Sequence, residues 1–168
     1  ARPAALAGLP VRPHARRPDP PRRAGEHIRQ GVQEAVARGR LSAADRQGIL
    51  DGVLATSDID EAVTGAQLVL DAAPDLLALK RQIFAEIGRA SPAATLATVS
   101  ALPLADVAQA APRPGQVVGL RFGEPLEDSD RMEIVALAGT DLAAVERVRL
   151  LAARIGRNAV VLRDRWVP

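Results

Sequence analysis

Residues 67–100 decide the fold, and they read QLVLDAAPDLLALKRQIFAEIGRASPAATLATVS. Gln67–Ala72 is a short apolar run of the kind that is buried on both faces of a parallel sheet. Asp75–Gly88 is amphipathic, because its large apolar residues recur at helical spacing. Thr95–Val99 predicts a second strand. A strand, a helix and a strand in this order predict a β-α-β unit with parallel strands.

The same alternation continues on both sides of this unit. The further predicted strands are Val53–Thr56, Val117–Phe122, Met132–Ala138 and Ala159–Arg163. The further predicted helices are a turn capped by Asp58, the segment Leu104–Ala110, and a helix from its N-cap Asp141 through Ile155. Strands that alternate with helices favour an α/β fold with a doubly wound, mainly parallel sheet.

The front of the chain has a different composition. Residues 1–23 are rich in Pro and Arg, and the prolines forbid a long helix, although Val11–His14 predicts a short strand. Ala24–Gly39 and Ser42–Leu50 predict a helical hairpin, closed by a glycine C-cap and a serine N-cap. We therefore divide the chain into a front segment and an α/β domain, residues 24–168.

Composition excludes several functions. The 168 residues suit one domain, and the lack of cysteine excludes disulfides and thiolate metal sites. With two Phe, one Trp and no Tyr, the chain has no aromatic platform for single-stranded nucleic acid. No apolar run reaches transmembrane length, and the N-terminus lacks the apolar centre of a signal peptide. We expect a soluble cytoplasmic protein with no nucleic-acid, membrane or metal partner.

The charge is unevenly distributed. The formal net charge is +2, and Lys80 is the only lysine, so the other basic residues are all Arg. Residues 1–30 carry seven Arg against Asp19 and Glu26. A basic arm that binds phosphate is one interpretation of this bias. A solvated front segment is the other, and we favour it.

No phosphate-binding glycine loop is present in the sequence. Doubly wound sheets that bind dinucleotides carry G-x-G-x-x-G after the first strand, where backbone amides approach the pyrophosphate. The 168 residues contain no such motif, and Gly8 and Gly25 stand alone. The first strand, which lies centrally in such a sheet, is also missing. Three explanations for the missing first strand stay open. Another segment takes its place in the sheet, or the front segment does not pack against the sheet, or the protein has more residues upstream.

Several segments, in order, are similar to one family. They read AVARGRLSAADR at 35–46, VLDAAPDLLALKRQIFAEI at 69–87, SALPLADVAQAAPRPGQVVGLRF at 100–122 and VVLRDRWVP at 160–168. This order resembles the NAD-binding domain of the 3-hydroxyacyl-CoA dehydrogenase family. The resemblance implies a Rossmann-like fold with the hairpin as an insertion, and residues 1–23 as the remnant of the first helix and second strand. It also implies hydride transfer between NAD and a 3-hydroxyacyl-CoA in fatty acid metabolism.

The resemblance assigns cofactor contacts to three residues. Asp75 and Lys80 match an acidic residue, usually Glu, and a lysine that contact NAD. Ser100 matches a serine that touches the substrate hydroxyl beside the nicotinamide. The usual Asn-Thr before that serine is replaced by Val99 and a one-residue deletion. Structural alternatives stay open, with Lys80 as a solvent-facing helix residue and Ser100 as a turn or cap residue.

The family's catalytic histidine is replaced. The family reads H-F-F-N-P, with an orienting glutamate downstream, whereas this chain reads RFGEP at 121–125 and keeps the glutamate spacing at Glu133. Imidazole would accept the hydroxyl proton as hydride leaves for NAD. Arg121 cannot, because an arginine guanidinium offers no free base near neutral pH. We expect Arg121 to form an ion pair with Glu133, or Glu133 to pair instead with Arg131. The candidate catalytic set is therefore Ser100, Arg121 and Glu133.

Two further features have alternative interpretations. The family's ribose-binding acid aligns with Ala15, and Arg16 and Arg17 follow, so NADP is an alternative to NAD. An acidic cluster suggests either a cation site or, as we favour, a solvated loop. Its members are Glu124, Glu127, Asp128 and Asp130.

Two hypotheses remain for the function. In one, the chain is the cofactor domain of a 3-hydroxyacyl-CoA dehydrogenase-like oxidoreductase, impaired as it stands. In the other, it is a degenerate, non-catalytic Rossmann-like interaction domain. In this family a helical C-terminal domain, absent here, provides the dimer contact, so both that domain and a second copy are expected partners. A fold by itself does not establish a function. Because the glycine loop, the catalytic histidine and the ribose-binding acid are all missing from the sequence, we predict little or no dehydrogenase activity.

Overall fold

The computed structural model describes residues 1–16, 19–123 and 129–163. The chain forms two compact units, Ala1–Thr64 and the residues from Gly65 onward. No helix within the described ranges is long and apolar enough to cross a membrane.

The first unit is mainly helical. Its helices are α1 Arg2–Leu6, α2 Asp19–Ala37, α3 Ala43–Asp51 and α4 Ile59–Val63. The predicted hairpin is formed by α2 and α3, with Gly39 at φ +67° after α2 and Ser42 Oγ accepting a hydrogen bond from an amide of α3. The predicted start of α2 at Ala24 is wrong, because Pro20 and Pro21 lie in the first turn, where an amide hydrogen is not needed. The division after residue 23 falls inside α2 and stays a prediction.

The two predicted strands of the first unit meet only at parallel bridges. Val11 pairs with Val53, and His14 pairs with Thr56. Pro13 has no amide hydrogen, but its carbonyl accepts from Thr56 N–H at 3.0 Å, so the proline does not interrupt the pairing. The core of this unit contains Ala5, Ile28, Val32 and Val53.

The second unit is built on a five-stranded sheet of order β1-β2-β3-β4-β5. The strands are β1 Leu68–Asp71, β2 Thr95–Val99, β3 Val117–Phe122, β4 Arg131–Ala136 and β5 Asn158–Arg163. The first three strands are parallel, β4 runs antiparallel to β3, and β5 runs parallel to β4. The predicted α/β class and mainly parallel sheet are confirmed, and β2 and β3 have the predicted bounds.

Three helices flank this sheet, α5 Leu77–Ala90, α6 Leu104–Ala108 and α7 Leu142–Arg154. A buried apolar stripe of α7 packs against the sheet. The stripe and its partners are Ala144, Val145, Val148 and Ala152 with Ala97, Val118, Leu120, Met132, Ile134 and Ala136. Asp141 is the N-cap of α7, but its carboxylate accepts from Gln116 Nε2 at 2.6 Å and makes no cap bond.

β1 is an edge strand. Among the described strands of its sheet, it pairs with β2 alone. Leu70 is 41% exposed, so the predicted burial of this run on both faces is wrong. Side chains of a strand with one neighbour are covered less completely than those of a central strand, and its outer edge leaves backbone groups unpaired by the sheet.

A glycine of α5 tests the packing of this unit. A Cβ at Gly88 would lie 2.5 Å from Pro112 Cδ, whereas one at Gly139 would meet nothing within 4 Å. We expect Gly88→Ala to lower the free energy of unfolding by about 1–3 kcal/mol through overpacking, although alanine alone would favour the helix. Urea unfolding of this variant and of Gly139→Ala as the matched control measures the difference. Equal stability of the two variants would contradict the packing described here.

Candidate functional site

The candidate site lies where β1 and β2 end. Because parallel strands that pair directly finish at the same edge of a sheet, the loops after them are neighbours there. The loop after β1 carries Asp75 and leads into α5, and the loop after β2 begins at Ser100. The β-α-β unit quoted at the outset therefore brings these two residues together from 25 positions apart.

Lys80 of α5 lies beneath these loops and is 0% exposed. Its Nζ donates to Asp71 Oδ2 at 2.8 Å and to Thr98 Oγ1 at 3.4 Å. A third bond, of 2.9 Å, goes to the carbonyl of Ala73. An ammonium group has three hydrogens, so these bonds use all of its donors. Its charge is thus both neutralised and fully hydrogen-bonded inside the protein.

Asp71 and Thr98 complete this buried network. Thr98 Oγ1 donates to Asp71 Oδ2 at 2.8 Å, and Asp71 Oδ1 accepts from the Ala73 amide at 2.9 Å. Among the described residues, no buried side-chain nitrogen or oxygen lacks a hydrogen-bond partner. The network joins the ends of β1 and β2 to the first turn of α5, and it fixes the backbone from which both loops emerge.

Asp75 connects the two loops. Ser100 Oγ donates to Asp75 Oδ1 at 2.6 Å and accepts from Leu102 N–H at 3.1 Å. Asp75 Oδ2 accepts from Ala101 N–H at 2.9 Å, and Lys80 Nζ lies 3.6 Å from Oδ1. Ser100 thus acts as a turn residue, as one alternative predicted, and its proton is already donated to a carboxylate.

The contacts of Asp75 lower its pKa. The largest cause is the hydrogen bond from Ser100, followed by the bond from the amide of Ala101. Desolvation opposes the shift, and the charge of Lys80 supports it. A carboxyl whose pKa is lower in the folded state stabilises the fold above its unfolded pKa, and this contribution is lost as the pH falls through the folded value.

A cleft of about 200 Å³ opens beside Ser100, between the ends of β2 and β3. Its walls include Ser100, Leu102, Leu104, Gly119, Arg121 and Val135. Arg121 is exposed on β3, and its guanidinium bonds to no residue that the structure describes. The structure therefore places two predicted site residues, Ser100 and Arg121, on the wall of one cleft.

Glu133 lies directly opposite Arg121 in the β3–β4 ladder. Its Oε1 is nevertheless held by Arg131 Nη2 at 2.5 Å. Arg131 precedes Glu133 by two positions on β4, so both side chains leave the same face of the strand. The expected ion pair between Arg121 and Glu133 is wrong, and the alternative pairing with Arg131 is confirmed.

Sequence reasoning missed part of this site. The alternative in which Lys80 faces solvent is wrong, because its ammonium is drawn inward by Asp71. Asp71 and Thr98 were not singled out in the sequence analysis, although one signal was available. Asp71 is the single charged residue in the run QLVLDAA, and the only lysine of the chain, Lys80, follows in the first turn of α5. A buried acid at a strand end requires a partner, and Lys80 is that partner.

Some predicted features lie outside the described residues. These are Glu124, Glu127 and Asp128 of the acidic cluster, together with Arg17. Within the described ranges, no group of three His, Asp or Glu side chains is arranged to hold a metal ion.

Comparison with known proteins gives one family. A sequence model described as "3-hydroxyacyl-CoA dehydrogenase, NAD binding domain" matches residues 1–165. The fold is similar to FadB2 of M. tuberculosis, with 29% identity, a TM-score of 0.86, and coverage of 98% of this chain and 59% of that one.

Two further solved structures have the same fold. The 3-hydroxybutyryl-CoA dehydrogenase of Escherichia coli K12 is 26% identical, with a TM-score of 0.86 over 96% of this chain and 34% of its own. The (S)-3-hydroxybutyryl-CoA dehydrogenase PaaH1 of Ralstonia eutropha is 16% identical, with a TM-score of 0.86 over 96% and 58%, and at this identity shows the fold alone. The chain thus spans between about a third and three fifths of the length of these three proteins.

The buried network predicts a large cost for removing its cation. We expect Lys80→Met to lower the free energy of unfolding by about 3–5 kcal/mol, because Asp71 is left as an unpaired buried charge. Adding Asp71→Asn should restore part of this loss. Arg89→Met, at an exposed position of the same helix, is the matched control and should change stability by less than about 0.5 kcal/mol. If urea unfolding finds Lys80→Met no worse than Arg89→Met, the network does not stabilise the unit.

The lowered pKa of Asp75 predicts a pH dependence of stability. The unmodified protein should lose stability as the pH falls below about 4, from the unfolded pKa of an aspartate towards the lower pKa of folded Asp75, and Asp75→Asn should lose correspondingly less over this range. Urea midpoints measured across the range give both curves, with Asp106→Asn, a half-exposed acid on α6, as the control. Parallel curves for the unmodified protein and Asp75→Asn would contradict the assignment.

Proposed function

The chain belongs to the 3-hydroxyacyl-CoA dehydrogenase family as an NAD-binding domain, and from this we propose that it retains the nicotinamide side of the cofactor site and has lost the reaction base. The single observation that carries the proposal is the cleft. Both residues that the resemblance assigns line it: Ser100, which matches the family's serine in sequence, and Arg121, which replaces the family's histidine. Hydride transfer on a 3-hydroxyacyl-CoA is then the ancestral reaction.

The residues present fit one half of NAD. Asp75 is 41% exposed and Ser100 borders an open cleft, so a carboxylate and a hydroxyl oxygen are available to a ribose and a carboxamide. The pyrophosphate half needs a row of backbone amides, which a glycine-rich turn would supply, and the 168 residues contain no G-x-G-x-x-G. When bound, NAD supplies the hydride acceptor. The fit of these residues to NAD is therefore partial.

Lys80 is proposed to act on the cofactor site through Asp75. Its three hydrogens are donated to two buried acceptors and to the partly buried carbonyl of Ala73, so direct contact with NAD would break at least one of these bonds. Its charge lies 3.6 Å from Asp75 Oδ1 and holds that carboxylate in place. Asp75 in turn orients Ser100, whose remaining lone pair can accept from a carboxamide or from a substrate hydroxyl. Lys80 is thus a positioning residue.

Among the described residues that line the cleft, none accepts a proton near neutral pH. An arginine guanidinium offers no free base, and Glu133, which keeps the spacing of the family's orienting glutamate, is engaged by Arg131. These two observations favour a second candidate function, a non-catalytic Rossmann-like interaction domain.

The remaining proposals hold under either function. We propose NAD as the cofactor in preference to NADP, and acyl-CoA as the ancestral substrate class. We also propose a cytoplasmic location, and a helical domain or a second copy of the chain as the partner.

Cofactor titration tests the proposal. If only the nicotinamide half is recognised, NADH should bind this chain no more than about tenfold tighter than reduced nicotinamide mononucleotide, and more weakly than micromolar. Cofactor fluorescence measures both affinities, and Asp75→Asn should weaken both, with Arg149→Gln on α7 as the control. No reduction of acetoacetyl-CoA is expected. Micromolar binding of NADH together with such reduction would overturn the loss of function.

The variant Arg121→His tests whether the missing base is the only defect of the site. We expect Arg121→His to remain inactive towards acetoacetyl-CoA, because the pyrophosphate half is still not held. The measurement is the consumption of NADH by the variant at saturating substrate. Activity in this variant would show that the base is the only defect of the site.

A further inference from the structure

We propose that the Arg121 cleft binds a small carboxylate with a short apolar tail. The inference does not depend on NAD binding, since it concerns the charge and lining of the cleft alone. It assigns a ligand to Arg121, the residue that stands at the position of the family's proton-accepting histidine.

The cleft has one formal charge on its wall. Among the described residues that line it, Arg121 is the only ionisable one, and the structure gives it no acceptor within the described chain. A guanidinium presents paired donors whose geometry matches the two oxygens of a carboxylate. This cation on the wall of the cleft therefore selects an anion.

The described acids nearest to the cleft do not neutralise Arg121. Glu133, opposite in the ladder, is held by Arg131. Asp75 is not among the described residues that line the cleft, and its carboxylate accepts from Ser100 and Ala101 and faces Lys80. Neither of these two acids therefore pairs with Arg121, which can bind a ligand.

The remaining walls set the size and character of the ligand. Leu104 and Val135 are buried residues of the lining, and Leu102 is partly buried. These walls favour an alkyl tail, which an inorganic anion lacks. The volume of about 200 Å³ is below the range of about 300–1,000 Å³ that holds drug-sized ligands. A monocarboxylate of about four carbons matches this charge, lining and size.

Butyrate and its neutral isostere butyramide are suitable probes. Saturation-transfer NMR on the chain without NADH should give millimolar binding of butyrate, at least about tenfold weaker binding of butyramide, and weaker binding of inorganic phosphate than of butyrate. Arg121→Gln should lose about tenfold in butyrate affinity, and Arg121→Lys should lose less. The control Arg149→Gln, an exposed arginine of α7, should bind as the unmodified protein does.

Arg131→Gln gives a test specific to the charge arrangement. It frees Glu133 to pair with Arg121 across the ladder, so butyrate binding should weaken although the cleft is untouched, and adding Glu133→Gln should restore it. Equal binding of butyrate and butyramide, tighter binding of phosphate, or unchanged affinity in Arg121→Gln would each overturn the inference. Because NADH is omitted, failure of the NAD proposal leaves this result unaffected.

Discussion

The buried ion pair between Lys80 and Asp71 is the constraint on which the site depends. A charge taken from water costs several kcal/mol unless it is paired and hydrogen-bonded, and here every donor of the ammonium is used. The acceptors come from the end of β1, the loop after it and β2. Satisfying one cation therefore fixes three backbone segments, and Asp75 and Ser100 are held on them.

Much of the fold follows from local pattern. The β-α-β unit was predictable because strand-length apolar runs enclose a helix of suitable periodicity, and β2 and β3 end where predicted. The exposure of Leu70 was not, because the number of neighbours of β1 is a property of the whole sheet. The early start of α2 reflects prolines that are tolerated in a first turn but would break a helix interior.

The site was predictable only in part. Sequence similarity located Asp75, Ser100, Arg121 and Glu133, and the fold places Ser100 and Arg121 on one cleft. Glu133 can pair with Arg121 on the neighbouring strand or with Arg131 on its own strand. The choice depends on how far each side chain reaches, which the spacing of residues in the sequence does not encode. The burial of Lys80 depends likewise on an acid nine residues earlier in the chain. We propose that the replacement of histidine by Arg121 changes the chemistry of the cleft from proton transfer to anion binding.

The nitrogen resonance of the Lys80 side chain tests the central claim most directly. Lys80 is the only lysine, so a ¹⁵N spectrum tuned to side-chain ammonium groups contains a single lysine signal. A buried and fully bonded ammonium exchanges its protons slowly, so the signal should be sharp near neutral pH, lost in urea, and unmoved by NADH. A signal broadened by exchange in the folded protein, or one shifted directly by NADH, would contradict a structural Lys80.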